Sequence, residues 1–217
     1  MKNKISSIEE IKPLFKNGMS LMIGGFLGVG TPENIIDMMI DMGLKDLTVI
    51  GNDSAFVDRG VGRLIAGGMI KKYITTHLGT NPEAIKRYNE KSMDVEFNPQ
   101  GTLIERIRAG GSGLGGVLTQ TGLGTLVEEG KQKLTVEGKE YILETPLRAD
   151  MAIIRGSESD PFGNIRYHGT SRNYNPSMAL AADTVIAQAE EILDFGVMNP
   201  EDIVTPGVVI DHVIKEQ

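Results

Sequence analysis

The sequence contains no cysteine, and this absence excludes disulfide bonds and thiolate catalysis. Its 22 Lys and Arg residues are outnumbered by 29 Asp and Glu, which gives a net charge of −7. The Lys and Arg residues also form no basic stripe along the sequence. Because phosphate contacts require clustered cations, this charge argues against a nucleic-acid binder. No apolar run approaches the roughly 18 residues of a membrane-spanning helix. We therefore expect neither a nucleic acid nor a membrane as partner.

Other absences narrow the location and the chemistry. The opening stretch M-K-N-K-I-S-S-I-E-E-I carries scattered charges and lacks the apolar segment of a secretory signal, which predicts a cytoplasmic protein. The histidines His77, His168 and His212 lie far apart and show neither H-x-x-x-H nor H-E-x-x-H spacing, so no metal site is expected. The nucleophile elbow of hydrolases, G-x-S-x-G, is absent from the sequence. The stretch G-G-S-G around Ser112 resembles it only loosely.

Glycine, by contrast, is abundant, and its most telling cluster is I-G-G-F-L-G-V-G-T-P at residues 23–32. The apolar run just before it is typical of a buried parallel strand. After it, Thr31 as a cap and Pro32 as a first helical residue predict a helix that ends near Gly43. A strand, a glycine loop and a helix N-terminus together can form an anion site.

The glycines of this loop have two possible roles. They can adopt positive φ, let a ligand approach the backbone and leave amide N–H groups free for an anion; the residues concerned are Gly24, Gly25, Gly28 and Gly30. The dinucleotide pattern G-x-G-x-x-G is incomplete because Glu33 stands at the third glycine, and no G-K-[ST] follows. From spacing alone, a structural tight turn and a phosphate cradle remain equally open.

Strand and helix patterns alternate along the remaining chain. We predict strands at residues 44–50, 70–76, 93–97, 149–155 and 184–189, helices at 7–15, 60–68 and 82–91, and a hairpin at 133–143 turning at Glu137 and Gly138. This alternation predicts an α/β fold with an open, mostly parallel sheet, helices on both faces and a small antiparallel excursion. With no clear boundary, residues 1–217 are expected to form a single domain.

Two uncharged amides follow predicted strands, Asn52 after the second and Gln100 after the fourth. Ligands of open α/β sheets bind at the carboxyl ends of the strands, and neutral donors in a dry site suit a developing oxyanion. Stabilisation of a turn is the other interpretation of each. Two roles also stay open for the charged candidates, which could serve a site or only form caps and salt bridges: Glu33, Arg106, Arg108, Arg166 and Arg172.

Several blocks of sequence resemble the family I coenzyme A transferases, specifically the A (alpha) subunits of enzymes that use acetate, butyrate and acetoacetate. The first block is N-G-M-S-L-M-I-G-G-F-L-G-V-G-T-P at residues 17–32. It is followed by N-P-Q-G-T-L-x-E-R-I-R-A-G-G-x-G at 98–113, T-Q-T-G-L-G-T-L-V-E-x-G at 119–130, G-N-I-R-Y-H-G-T-S-R-N-Y-N-P at 163–176 and P-E-D-I-V-T-P-G-V at 200–208. The likeness covers nearly the whole chain in order.

This resemblance implies a ping-pong transfer of coenzyme A (CoA) from an acyl-CoA to a short-chain carboxylic acid through a glutamate nucleophile. The family places that glutamate in an E-x-G setting of the B (beta) subunit, a context that this chain lacks. The resemblance therefore implies half of an α2β2 enzyme, with CoA as co-substrate and no permanently bound cofactor. The residues that it assigns to CoA binding are Gly24, Gly25, Phe26, Leu27, Gly28, Val29 and Gly30.

By the same resemblance Gln100 and Asn52 would polarise the substrate, whereas Asp53, where some relatives have a second asparagine, departs from the pattern. A succinyl-CoA:3-oxoacid transferase subunit is an alternative within the family. Two rivals lie outside it: a self-sufficient sugar-phosphate isomerase and a non-catalytic ligand sensor on a similar fold.

Overall fold

The computed structural model describes residues 3–217 and is built on an eight-stranded sheet. The strands are β1 (Ser20–Ile23), β2 (Leu47–Ile50), β3 (Ile70–Thr75), β4 (Asp94–Phe97), β5 (Val117–Thr119), β6 (Lys133–Val136), β7 (Lys139–Glu144), β8 (Ala149–Ser159), β9 (Ile165–Arg166), β10 (Ala182–Ile192) and β11 (His212–Lys215). Seven of them run parallel in the order β11-β10-β8-β1-β2-β3-β4, and β9 pairs antiparallel with β8. The expected open, mostly parallel sheet is thus confirmed.

The antiparallel excursion is also confirmed, as a separate sheet with the order β5-β7-β6. Its hairpin turns at the expected residues, Glu137 and Gly138, whose φ angles of +49° and +75° fit the two-residue turn that matches strand twist. One strand of this sheet, β5, lies inside the glycine-rich segment 110–124.

Helices cover both faces of the main sheet, as predicted. They are α1 (Ile8–Ile11), α2 (Glu33–Asp41), α3 (Val61–Ala66), α4 (Pro82–Asn89), α5 (Gln100–Gly111) and α6 (Asn175–Leu180). Alternate strand residues point to opposite faces, so Leu21 and Ile23 of β1 join a core with α1 to α4 while Met22 joins a second core with α5 and α6. Both faces of the central strands are therefore buried.

The helices α4 and α2 differ in how their N-termini are capped. Asn81 caps α4, accepting from the backbone N–H groups of Glu83 and Ala84 at 3.1 Å. The predicted cap of α2 by Thr31 is wrong, because α2 begins at Glu33 with Pro32 in the capping position and no side-chain cap. Tertiary packing overrides the local preference here, since Thr31 is buried with its hydroxyl against Gly25.

The order of the strands places a crevice beside β1. From β1 the chain moves through β2 and β3 to β4 on one side, whereas β8, β10 and β11 lie on the other side. The loops that leave β1 and β8 therefore run in opposite directions and leave a crevice between them. Ligands of open α/β sheets bind in a crevice of this kind, outside the carboxyl ends of the strands. The glycine loop after β1 occupies this position. Within residues 3–217, none of the helices combines the length and the apolar character needed to cross a membrane.

Candidate functional site

A cavity of about 500 Å³ opens where the loops after β1, β2 and β4 meet. It is lined by Phe26, Asn52, Gln100, Gly101, Ile104, Asn173 and Tyr174. The structure brings together the two amides that the sequence singled out, and the Gln100 Nε2 donates to Asn52 Oδ1 at 2.9 Å. Asn52 lies just beyond β2, and Gln100 is the first residue of α5, which follows β4.

Asn52 is held rigidly. The residue is 3% exposed, and its Nδ2 donates to Asn173 Oδ1 at 3.2 Å. Its backbone carbonyl accepts from the Thr76 hydroxyl at 2.6 Å and from the Thr75 hydroxyl at 3.2 Å. A buried amide held on both sides loses little entropy when a ligand arrives, which suits a preorganised donor.

The glycine loop forms a tight hairpin of its own. Phe26 and Val29 exchange two backbone hydrogen bonds of 2.9 Å, and Leu27 and Gly28 turn the chain with φ angles of +51° and +86°. Phe26 is 38% exposed and Val29 is 50% exposed. The tip of the loop therefore offers apolar side chains at the mouth of the cavity.

The chain itself fills the space where side chains of the loop glycines would lie, which favours the structural interpretation of these residues. A Cβ on Gly24 would lie 1.7 Å from Asn175 Oδ1, and one on Gly30 would lie 2.5 Å from the Ser171 carbonyl oxygen. Thr31 occupies the space beside Gly25, and Arg59 that beside Gly28. The Gly24 N–H is not free either, since it donates to the Ile153 carbonyl at 3.0 Å. The predicted contact of residues 24–30 with CoA stays a prediction.

Asp53 lies beneath the loop and accepts hydrogen bonds. Its carboxylate oxygens receive the Leu27 N–H at 3.0 and 3.2 Å, and Oδ1 also receives the Ala55 N–H at 2.7 Å. Burial raises the pKa of the Asp53 carboxyl, while the N–H groups of Leu27 and Ala55 oppose that rise. Asp53 therefore fastens the loop tip to the end of β2.

Most of the other charged candidates form structural ion pairs. Arg106, 8% exposed at its side chain, donates to Glu96 at 2.7 Å and to Asn98 at 2.6 Å. Glu33 accepts from the Gly60 N–H at 2.7 Å at the start of α3.

Two further arginines are paired as well: Arg108 with Glu105, and Arg166 with Glu158 and Asp202. The salt-bridge interpretation accounts for these residues, and Arg172 is exposed. Across residues 3–217, no three His, Asp or Glu side chains come together in a way that could hold a metal ion.

Sequence reasoning missed three consecutive residues that organise the site, Asn173, Tyr174 and Asn175. Tyr174 donates its hydroxyl to the Gln100 carbonyl at 2.7 Å, and Asn175 Nδ2 donates to the Gly30 and Ser171 carbonyls at 3.2 and 2.8 Å. Their only signal was membership of the N-Y-N-P block. Nothing local shows that this block meets the end of β2.

Comparison with known proteins matches the coenzyme A transferase family over residues 4–216. The chain is 51% identical over 217 residues to the acetate CoA-transferase subunit alpha of Escherichia coli K12, covering 100% of this chain and 99% of that protein. It is 50% identical over 216 residues to the acetoacetyl-CoA:acetate/butyrate CoA transferase alpha subunit of Clostridium acetobutylicum, with 100% and 99% coverage.

A solved structure has the same fold. It is an acyl-CoA transferase from E. coli O157:H7, a thioester complex with CoA, which superimposes with a TM-score of 0.87 at 19% identity. The match covers 99% of this chain and 50% of the other, so this chain spans half the length of that transferase.

Proposed function

The chain belongs to the coenzyme A transferase family, and from this premise we propose that it is the A subunit of an enzyme that moves CoA from an acyl-CoA to a short-chain carboxylic acid. The proposed substrates are acetoacetyl-CoA with acetate or butyrate. Support for this choice comes from the names of the two relatives that are 51% and 50% identical over the whole chain.

One observation carries the proposal: the described lining of the cavity offers oriented neutral donors and no carboxylate. Of the seven described residues that line it, none bears a carboxylate, a thiol or a histidine ring, whereas three bear side-chain amides. Attack on a thioester places negative charge on its carbonyl oxygen, which uncharged N–H donors in a buried site stabilise. Asn52 and Gln100 fit that task, and an attacking carboxylate would come from outside this lining.

The proposed nucleophile is a glutamate of a B subunit. Its carboxylate attacks the thioester carbon, the C–S bond breaks, and CoA leaves as a thiolate with a mixed anhydride behind it. The thiolate then attacks the glutamyl carbonyl, which releases the first acid and forms a glutamyl-CoA thioester. A second carboxylate runs these steps in reverse. One thioester replaces another, so no cofactor is consumed and CoA is a co-substrate only.

The proposed assembly is an α2β2 heterotetramer. The alpha-subunit names of the relatives support a beta partner, and the exposed Phe26 and Val29 support contact of the loop tip with that partner or with CoA. Their apolar surface would lose water on contact, which favours binding.

The test is to assay the chain alone and together with a candidate B subunit, using acetoacetyl-CoA with acetate and with butyrate. We expect no transfer from the isolated chain, transfer from the mixture, and a complex of two copies of each chain by native mass spectrometry. Substantial transfer by the isolated chain would refute the half-enzyme proposal. Succinyl-CoA with acetoacetate tests the alternative within the family, and turnover of a sugar phosphate by the chain alone would indicate an isomerase.

A further inference from the structure

We propose that Asn173 is a positioning residue that sets the orientation of the Asn52 and Gln100 side-chain amides. Asn173 lies just before α6. It is 121 residues away from Asn52 in sequence, yet its side chain contacts Asn52 at the cavity. The inference rests on the proposed function, because the orientation of these amides matters for catalysis only if the cavity carries out acyl transfer.

The direction of the hydrogen bonds starts from a backbone donor. The Tyr174 N–H can only donate, and its partner at 2.6 Å is Asn173 Oδ1, so the Asn173 amide must present its oxygen there. That same oxygen lies 3.2 Å from the Asn52 amide, which must therefore present its nitrogen. Asn52 Oδ1 is then left facing Gln100, and Gln100 must donate through Nε2 at 2.9 Å. One backbone N–H thus determines the orientation of three side-chain amides.

This orientation keeps donors available at the cavity. Each amide NH₂ group carries two hydrogens, and the chain of bonds uses one from Asn52 and one from Gln100. The second hydrogen of each nitrogen remains for a ligand oxygen. Without Asn173, the Asn52 amide would be free to turn over and present its oxygen where its nitrogen now lies. An oxygen there would repel a developing oxyanion instead of stabilising it.

The backbone of Asn173 is strained in a way that points to a need for its side chain. Its φ and ψ angles are +37° and −132°, a region that favours glycine. A glycine would adopt these angles with less strain but would supply no amide oxygen. Strained residues of this kind are concentrated at functional sites, where the surrounding contacts hold them in place.

The substitution Asn173→Gly separates the two roles, because it relieves the strain and removes the amide. In the complex with the partner subunit we expect kcat to fall about 10- to 100-fold and KM for the acyl-CoA to change less than about threefold. Lys91→Gly is the matched control, since Lys91 is exposed, has φ +57° and lies outside the cavity lining. It should leave kcat and KM unchanged.

A second measurement does not depend on activity. In the ¹⁵N-labelled full chain, Asn173→Gly should shift the side-chain amide resonances of Asn52 and Gln100 and speed their hydrogen exchange, and Lys91→Gly should not. Asn173→Asp retains an oxygen that accepts both N–H groups, so it should leave these resonances nearer to wild type.

The two measurements separate the positioning role from the proposed function. Suppose that Asn173→Gly shifts the Asn52 and Gln100 resonances but that the wild-type complex transfers no CoA. That result would support the positioning role and refute the proposed function. Unchanged resonances in Asn173→Gly, or a loss confined to KM, would overturn the inference.

Discussion

Replacing Gly24 with alanine tests how the glycine loop is held. The added Cβ would lie 1.7 Å from Asn175 Oδ1 and 2.7 Å from its Cγ, far inside van der Waals contact, so the Asn175 side chain must move. Asn175 is fully buried, and its Nδ2 donates to the carbonyls of Gly30 and Ser171. The substitution therefore breaks the link between the loop and the segment before α6.

The expected cost follows from those two bonds. A buried carbonyl that loses its donor destabilises the fold by about 1–3 kcal/mol, and partial relaxation reduces that figure. Two carbonyls together give about 2–4 kcal/mol. For a chain of this length each kcal/mol corresponds to about 2–4 °C in melting temperature, so Gly24→Ala should lower it by about 4–16 °C.

The assay is thermal unfolding followed by circular dichroism, with Gly115→Ala as the control. Gly115 has no heavy atom within 4 Å of an added Cβ, so its substitution should shift the melting temperature little. Asn175→Ala removes the obstructing atoms, so the double variant Gly24→Ala/Asn175→Ala should lose less stability than the sum of the two single variants, by at least about 1 kcal/mol. Additive losses, or a Gly24→Ala shift no larger than that of Gly115→Ala, would refute the reasoning.

Three further outcomes are expected. Gln100→Ala in the complex should lower kcat about 10²-fold, and an unchanged rate would return Gln100 to the role of a turn-stabilising residue. Tyr174→Phe removes the donor to the Gln100 carbonyl and should cost about 1–2 kcal/mol in chemical denaturation; no loss would show that this bond is dispensable. Burial raises the pKa of Glu96, but hydrogen bonds from Arg106 and Lys72 outweigh it and lower the pKa to about 2. The stability that Glu96 contributes is therefore complete above its ordinary pKa and is lost as the pH falls from about 4.5 towards 2. After allowance for solvent screening, this contribution to the free energy of unfolding amounts to about 1–2 kcal/mol. Glu96→Gln should therefore be less stable than wild type at pH 6, and the difference should shrink by pH 3. A difference that is constant with pH would contradict this.

Much of the architecture could be predicted because it depends on local patterns. Apolar runs of strand length and helical periodicities identify the parallel sheet, and Asn81 followed by Pro82 predicts the start of α4. The pair Glu137 and Gly138 predicts a hairpin for the same reason, since a two-residue turn requires residues that tolerate positive φ. Strands β8 and β10 extend beyond their predicted ends at residues 155 and 189, because their last residues pair with neighbouring strands that local patterns do not reveal.

The fold class, the family and the placement of Asn52 and Gln100 at strand ends all follow from the sequence, because the carboxyl ends of parallel strands meet at one edge of a sheet. The groups that surround these two amides depend on tertiary packing. The Asn175 side chain fills the space beside Gly24. The Thr31 hydroxyl packs against Gly25 instead of capping α2. Asn173 orients two amides from a distant part of the chain. These contacts join residues far apart in sequence, and their energies depend on which groups compete for the same buried space and the same donors.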